Sequence, residues 1–252
     1  MKTIGLIGGM SWESTAVYYR MINESVRRTL GGLNSAKVII ESLNFLDIVS
    51  LQRLGAWDDA ADQLSAAAVR LERSGADIIA ICTNTMHKLA PQVEASITVP
   101  LLHIADVTRN AVLASGLTTI GLLGTRYTME QDFLRHRLSL SGGPAVIIPS
   151  DAELDMIHNV IFHELCIGDV KPDSRKALLH SIDNLHHAGA KGIVLGCTEL
   201  MLILRQEDCP IPLFDTTLLH SRALVEFALD STANYKRLDT KSHGFDSVLS
   251  IA

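Results

Sequence analysis

Hydrophobic residues in this chain gather in short runs separated by longer amphipathic stretches. Apolar runs at 3–8, 37–42, 77–82 and 100–104 have the length and character of buried parallel strands. Between them, 14–30 reads as a helix stopped by Gly31-Gly32, and 58–74 as a helix stopped by Gly75 at a C-cap position. Further strands are predicted near 119–124, 145–149, 192–196 and 212–214. Helices are predicted near 128–140, 153–167 before Gly168, and 174–188 before Gly189. Strand–helix alternation predicts an α/β fold with right-handed crossovers and helices on both faces of parallel sheets.

The pattern also repeats. "TIGLIGGM" at Thr3 returns as "TIGLLGTR" at Thr119, an offset of 116. "SGADIIAICTNT" returns as "AGAKGIVLGCTE" at an offset of 114, and "VPLLHIAD" as "IPLFDTT" at 112. Three matches in one order at nearly one spacing point to duplication, with short deletions in the second copy. The expected architecture is therefore two pseudo-symmetric, doubly wound domains, each with a parallel four-stranded sheet. The first comprises 1–103 plus 215–230 and the second 104–214, with the active site in the cleft between them. The polar stretch 231–252 reads as a C-terminal extension.

Ligands of open parallel sheets bind beyond the carboxyl ends of the strands. The residues following the strands here are Gly8-Gly9-Met10-Ser11, Thr83-Asn84-Thr85, Gly124-Thr125 with Thr128, and Cys197-Thr198-Glu199. The 114-residue offset makes Thr83 and Cys197 equivalent, so across a cleft they approach one ligand from opposite faces. Asn84, Thr85 and Thr198 stand at expected helix starts, where free N–H groups hold a carboxylate. Opposed proton carriers around a carboxylate suit inversion at the adjacent carbon. A thiol, with a pKa of about 8.5, loses and regains a proton near neutrality. Following a strand and preceding Thr-Glu, Cys197 is expected to favour the thiolate. Glu199 is expected to orient it, and His87, four residues after Thr83, either supports the site from behind or simply packs. Alternation turns Cys82 into the core, and Cys166 and Cys209 read as structural.

Composition narrows the function. The 252 residues are 47% hydrophobic and 20% charged, as in a globular protein with a sizeable core. A net charge of −6 with scattered basic residues argues against a nucleic-acid partner, and no segment approaches the ~20 apolar residues of a membrane span. Four cysteines without C-x-x-C or zinc spacing suit a reducing cytoplasm and no metal. "GLIGGM" lacks the dinucleotide spacing, no P-loop is present, and no lysine ends a strand where a pyridoxal imine would need it. No cofactor is expected.

"IGLIGGMSWEST", "CTNTMH", "LLGTRYTMEQDF" and "GCTE" together resemble the aspartate/glutamate racemase family, over about residues 1–230. The resemblance is closest to enterobacterial members described as broad-specificity amino-acid racemases or L-aspartate/glutamate racemases. It implies cofactor-independent racemisation of a small amino acid by two proton carriers, usually both cysteines, between two domains. A homodimer is expected. By motif match Cys197 works on the L-enantiomer, while the opposite cysteine falls on Thr83. Met10, Gln52, Asn84, Thr85, Thr125, Thr128 and Thr198 are the expected substrate contacts. Positions aligned with the family's basic clamp are Val49, Phe162 and Cys166, none basic, leaving Gln52 or Arg53 as replacements. Two other readings stay open: a single-cysteine decarboxylase or cis–trans isomerase of small dicarboxylates, and a non-catalytic binding protein.

Overall fold

The computed structural model describes residues 1–230; the stretch 231–252, expected to be an extension, lies outside the described residues. In chain order the first half holds β1 (Thr3–Gly8), α1 (Trp12–Leu30), β2 (Lys37–Ser42), α2 (Phe45–Leu54), α3 (Trp57–Arg73), β3 (Ile78–Ile81), α4 (Ala90–Ser96) and α5 (Ile104–Ala114). There follow β4 (Thr119–Gly124), α6 (Arg126–Glu130), α7 (Asp132–Ser139), β5 (Ala145–Ile147), α8 (Asp151–His163) and α9 (Pro172–His187). The described chain closes with β6 (Ile193–Gly196), β7 (Leu213–Asp215) and α10 (Thr216–Leu229).

Both sheets are wholly parallel, ordered β2-β1-β3 and β5-β4-β6-β7. β1 and β4 are the counterparts expected from the repeat. Each carries a glycine, Gly5 or Gly121, whose Cβ would stand 2.7 Å from Cδ1 of an isoleucine on the neighbouring strand, Ile79 or Ile193. Close strand packing accounts for a glycine at both positions. The register also preserves the offset: Ile7 pairs with Ile81, and Leu123 with Leu195. Two residues beyond those pairs stand Thr83 and Cys197.

The first sheet departs from expectation. The run at 100–104 makes only one bridge, Ile79 to Leu101, so this sheet has three strands rather than four. Its neighbouring N–H groups are spent elsewhere: Val99 donates to the Glu72 carboxylate and Ile104 to His87 Nε2. A ladder cannot extend once its donors are diverted. The helix expected at 128–140 is two, broken at Gln131, whose backbone is extended (φ −82°, ψ 145°). That expected at 153–167 ends at His163, followed by a 3₁₀ turn, Leu165–Ile167, and Gly168 at φ 77°. α10 packs Leu224, Val225 and Phe227 into the core containing Ile4, Leu6 and Tyr18. The core of the second sheet takes in Ile104 and Val112 from α5.

Candidate active site

Met10, Gln52, Thr83, Asn84, Thr85, Thr125, Cys197, Thr198 and Glu199 line a single cleft at the carboxyl ends of β1, β3, β4 and β6. Thr83 and Cys197 both reach it. Thr128 is fully buried and supports the lining through Thr85 and Thr125, while His87 sits behind Thr83.

Cys197 is the first residue beyond β6, extended (φ −142°, ψ 131°) ahead of a 3₁₀ turn, Thr198–Leu202. Its Sγ donates to Glu199 Oε2 at 3.0 Å, and Thr198 Oγ1 donates to the same oxygen at 2.6 Å. Ser11, after β1, donates from Oγ to Glu199 Oε1 at 2.8 Å, so the carboxylate joins the two halves of the chain. Burial, then the Glu199 charge, then Cys166, raises Cys197 well above the ordinary thiol range. The thiolate expected from a helix start is thus corrected. Burial first, and then the carboxylate two residues on, outweigh a five-residue turn, and Cys197 stands as a protonated donor.

Thr83 is half-buried, and its carbonyl lies 2.7 Å from His87 Nδ1. His87 Nε2 accepts from the Ile104 amide at 3.2 Å, so the ring is neutral with its proton on Nδ1. His220 is pinned the opposite way. Its Nε2 lies 2.9 Å from the Leu102 carbonyl, where it donates, leaving Nδ1 to accept from Tyr18 Oη. His103, 4.5 Å from His87 between ring centres, accepts from Ala105 N. Burial first, then neighbouring positive groups, lowers His87 to about 3; burial lowers His220 to about 4 and His103 well below the ordinary value.

Three hydroxyls form the polar wall. Thr85 Oγ1 lies 3.2 Å from Thr125 Oγ1 and 3.1 Å from Thr128 Oγ1, and the latter two are 3.1 Å apart. Thr125 also caps α6, accepting from the Thr128 amide. Beside them Asn84, 2% exposed, donates from Nδ2 to Thr216 Oγ1 at 3.0 Å. Thr216 gives its own proton to the Leu195 carbonyl at 2.8 Å, which fixes which end of the amide faces it. Asn84 Oδ1 is therefore a buried acceptor with no donor among the described residues. Asn84 lines the cleft, and an unpartnered acceptor in a lining residue is a candidate partner for a cationic or N–H-bearing ligand.

A model of the Asp/Glu/Hydantoin racemase family matches residues 7–224. The chain belongs to this family. It resembles the broad-specificity amino-acid racemase RacX of Bacillus subtilis (strain 168), 22% identical over 229 residues, covering 88% of this chain and 96% of the relative. A Yersinia pestis protein solved as a candidate Asp/Glu racemase is 49% identical with a TM-score of 0.86, covering 91% of this chain and all of that one. An aspartate racemase homologue from Pyrococcus horikoshii OT3 is 34% identical with a TM-score of 0.80 at the same coverage. The α/β fold is that of these racemase structures.

Phe45, Met86 and Ile161 also line this family member's cleft and were not expected from sequence. Phe162 and Cys166, two of the positions aligned with the family's basic clamp, line it too, whereas Val49 does not. Cys166, read as structural, is corrected: α8 stops at His163 and the following turn carries the thiol to the cleft. Phe45 was missed because α2 was not recognised as a helix. Ser11 stood visibly after the first strand, but only the fold reveals Glu199 opposite it. Arg53 is exposed and outside the lining, whereas Gln52 is buried, its Nε2 2.9 Å from Met86 Sδ.

Proposed function

We propose that this protein is a pyridoxal-phosphate-independent amino-acid racemase in which Cys197 and Thr83 serve opposite faces of the α-carbon. The observation that carries the reading is their equivalent placement, two residues beyond the matched pairs Ile7–Ile81 and Leu123–Leu195, on the walls of one cleft. The polar wall suits the constant part of an amino acid. The hydroxyls of Thr85 and Thr125 and the backbone N–H of Thr198, whose own hydroxyl is committed to Glu199, receive the α-carboxylate, and Asn84 Oδ1 receives the α-ammonium. Donors on the carboxylate stabilise the enolate-like charge formed when the α-proton leaves.

The Cys197 proton moves to Glu199 Oε2, already its acceptor. The incoming α-ammonium offsets the negative charge that otherwise holds the thiol protonated. Cys197 thiolate then takes the α-proton of the L-enantiomer, and the carbanion is protonated from the Thr83 side. Among the described residues no lysine lines the cleft, so an imine with a carbonyl cofactor has no amine partner there.

The test is chiral chromatography of an L-amino-acid panel incubated with purified protein without pyridoxal phosphate, beside α-deuterium incorporation from D₂O. Appearance of D-enantiomer in at least one sample is expected. Carbon dioxide release or a double-bond isomer from a small dicarboxylate, without inversion, would replace this reading with the single-thiol alternative.

A further inference from the structure

The cleft has two chemically distinct ends. Strand-end loops supply the hydroxyl and amide groups assigned above to the carboxylate and ammonium. The rest of the lining comes from α2, the turn after β3, and α8 with its following turn: Phe45, Gln52, Met86, Ile161, Phe162 and Cys166. α2 and α8 follow the corresponding edge strands β2 and β5, and with the carboxylate and ammonium held as proposed above, this end is left for the variable part of the amino acid. Four of the six side chains are hydrocarbon or thioether. Gln52 is a neutral amide, and burial keeps the Cys166 thiol in its neutral form.

Charge in the lining is confined to Glu199, a carboxylate. No Lys, Arg or His among the described residues lines the cleft. Lys and Arg residues adjacent in sequence to the lining are bonded elsewhere or exposed, and His163, next to Phe162, is exposed. Arg126 is bonded to Glu130 and Asp155, Lys88 donates to Gln131 and stacks on Trp57, and Arg53 faces solvent. A second carboxylate on the ligand would be stripped of water beside apolar groups, with an existing negative charge nearby and no cation to meet it.

We infer that the side-chain subsite selects neutral, largely apolar amino acids and discriminates against aspartate and glutamate, with Cys166 and Gln52 at the positions that decide charge. This rests on the racemase reading and names its substrate class. Buried charge without a partner costs enough to disfavour acidic substrates on the order of a hundredfold in kcat/KM.

The experiment measures α-deuterium incorporation and inversion for L-methionine, L-leucine, L-aspartate and L-glutamate, with calorimetric titration of the same four. The expected result is turnover and binding of methionine and leucine far above the two acids. Cys166→Arg should narrow that ratio by about tenfold or more by supplying the missing cation. Gln52→Arg places the charge on the opposite wall should the first variant fail to fold. Exchange confined to aspartate and glutamate would overturn the inference and leave the racemase standing. Binding of methionine but not aspartate, with no exchange of either, would keep the subsite and remove the racemase. Neither binding nor exchange across the panel would remove both.

Discussion

The loops after β3 and β6 occupy equivalent places, yet they carry different side-chain chemistry. In the second half, Cys197-Thr198-Glu199 sets a thiol against a carboxylate that also holds Ser11 of the first half. In the first half, Thr83-Asn84-Thr85 sets an alcohol whose own carbonyl is held by a neutral histidine. Each loop's third residue crosses to the opposite half: Glu199 to Ser11 after β1, and Thr85 to Thr125 and Thr128 after β4. Crossing contacts keep the two-fold logic while the chemistry has diverged. Cys197 has a carboxylate acceptor for its proton at 3.0 Å, and no carboxylate meets the Thr83 hydroxyl among the described residues.

The largest effect should separate the two buried cysteines that immediately follow β3 and β6. Cys197→Ala is expected to reduce racemisation by about 10²- to 10⁴-fold, the range of a direct proton carrier. Cys82 is fully buried among Ile4, Tyr18 and Leu102. Cys82→Ser should keep most turnover while costing about 1–3 kcal/mol through a buried hydroxyl, read as a lowered melting temperature. Equal loss of turnover in the two folded variants would dissolve the distinction.

Next comes the carboxylate. Glu199→Gln removes a negative charge that raises the Cys197 pKa, so the thiol should ionise at lower pH than in the native protein. Ultraviolet absorbance of the thiolate reads that shift directly. Turnover should fall by about tenfold, below the effect of removing the carrier itself. An unchanged ionisation midpoint would show that Glu199 only packs.

Much of the pair was legible before the fold was seen. Recurrent apolar runs located β1, β3, β4 and β6, and one offset made Thr83 and Cys197 equivalent positions. That worked because parallel strands carry their signal locally and the ligand edge is always the carboxyl end. Legibility failed wherever a residue's state depended on a distant partner. The run at 100–104 looked like a strand, but Glu72 and His87 divert its donors. Cys197 looked like a thiolate, but burial and Glu199 protonate it. Cys166 looked structural because its approach to the cleft depends on where α8 stops.

The histidines behind Thr83 should make the first half acid-labile. His87 is lowered to about 3 and His220 to about 4, against an unfolded value of about 6.5. Depressed folded values mean the unfolded chain binds more protons. Stability is therefore present above the unfolded pKa and lost as pH falls through the folded values. The urea midpoint should decline as pH drops from about 7 to about 4. His220→Gln, which removes one titrating group, should make the decline shallower. Glu72 and Glu153, also lowered, add to the decline at lower pH in both proteins, so the difference isolates the histidine. Parallel curves would mean the ring is not held neutral.

The smallest change bears most directly on the inequality of the two walls. A threonine hydroxyl is a far poorer acid than a thiol; even the phenolic hydroxyl of Tyr has a pKa of only about 10. Enantiomers have equal free energy in water, so no site can make kcat/KM differ between the two directions. Unequal carriers must therefore show themselves in how the carbanion partitions. If Cys197 removes the L-substrate's proton readily and Thr83 returns one slowly, the carbanion is often reprotonated from Cys197. With a thiol that exchanges with solvent meanwhile, the L-enantiomer should gain α-deuterium in D₂O faster than it inverts. Thr83→Cys adds a competent second carrier and should narrow that gap a few-fold, with little change in the first proton removal. Initial-rate NMR of deuterium incorporation, beside chiral chromatography of the same samples, measures both rates. Matching exchange and inversion in the native protein, with no effect of Thr83→Cys, would show that the two walls are kinetically equal and that the acid on the Thr83 side is another group, such as a water held by its hydroxyl.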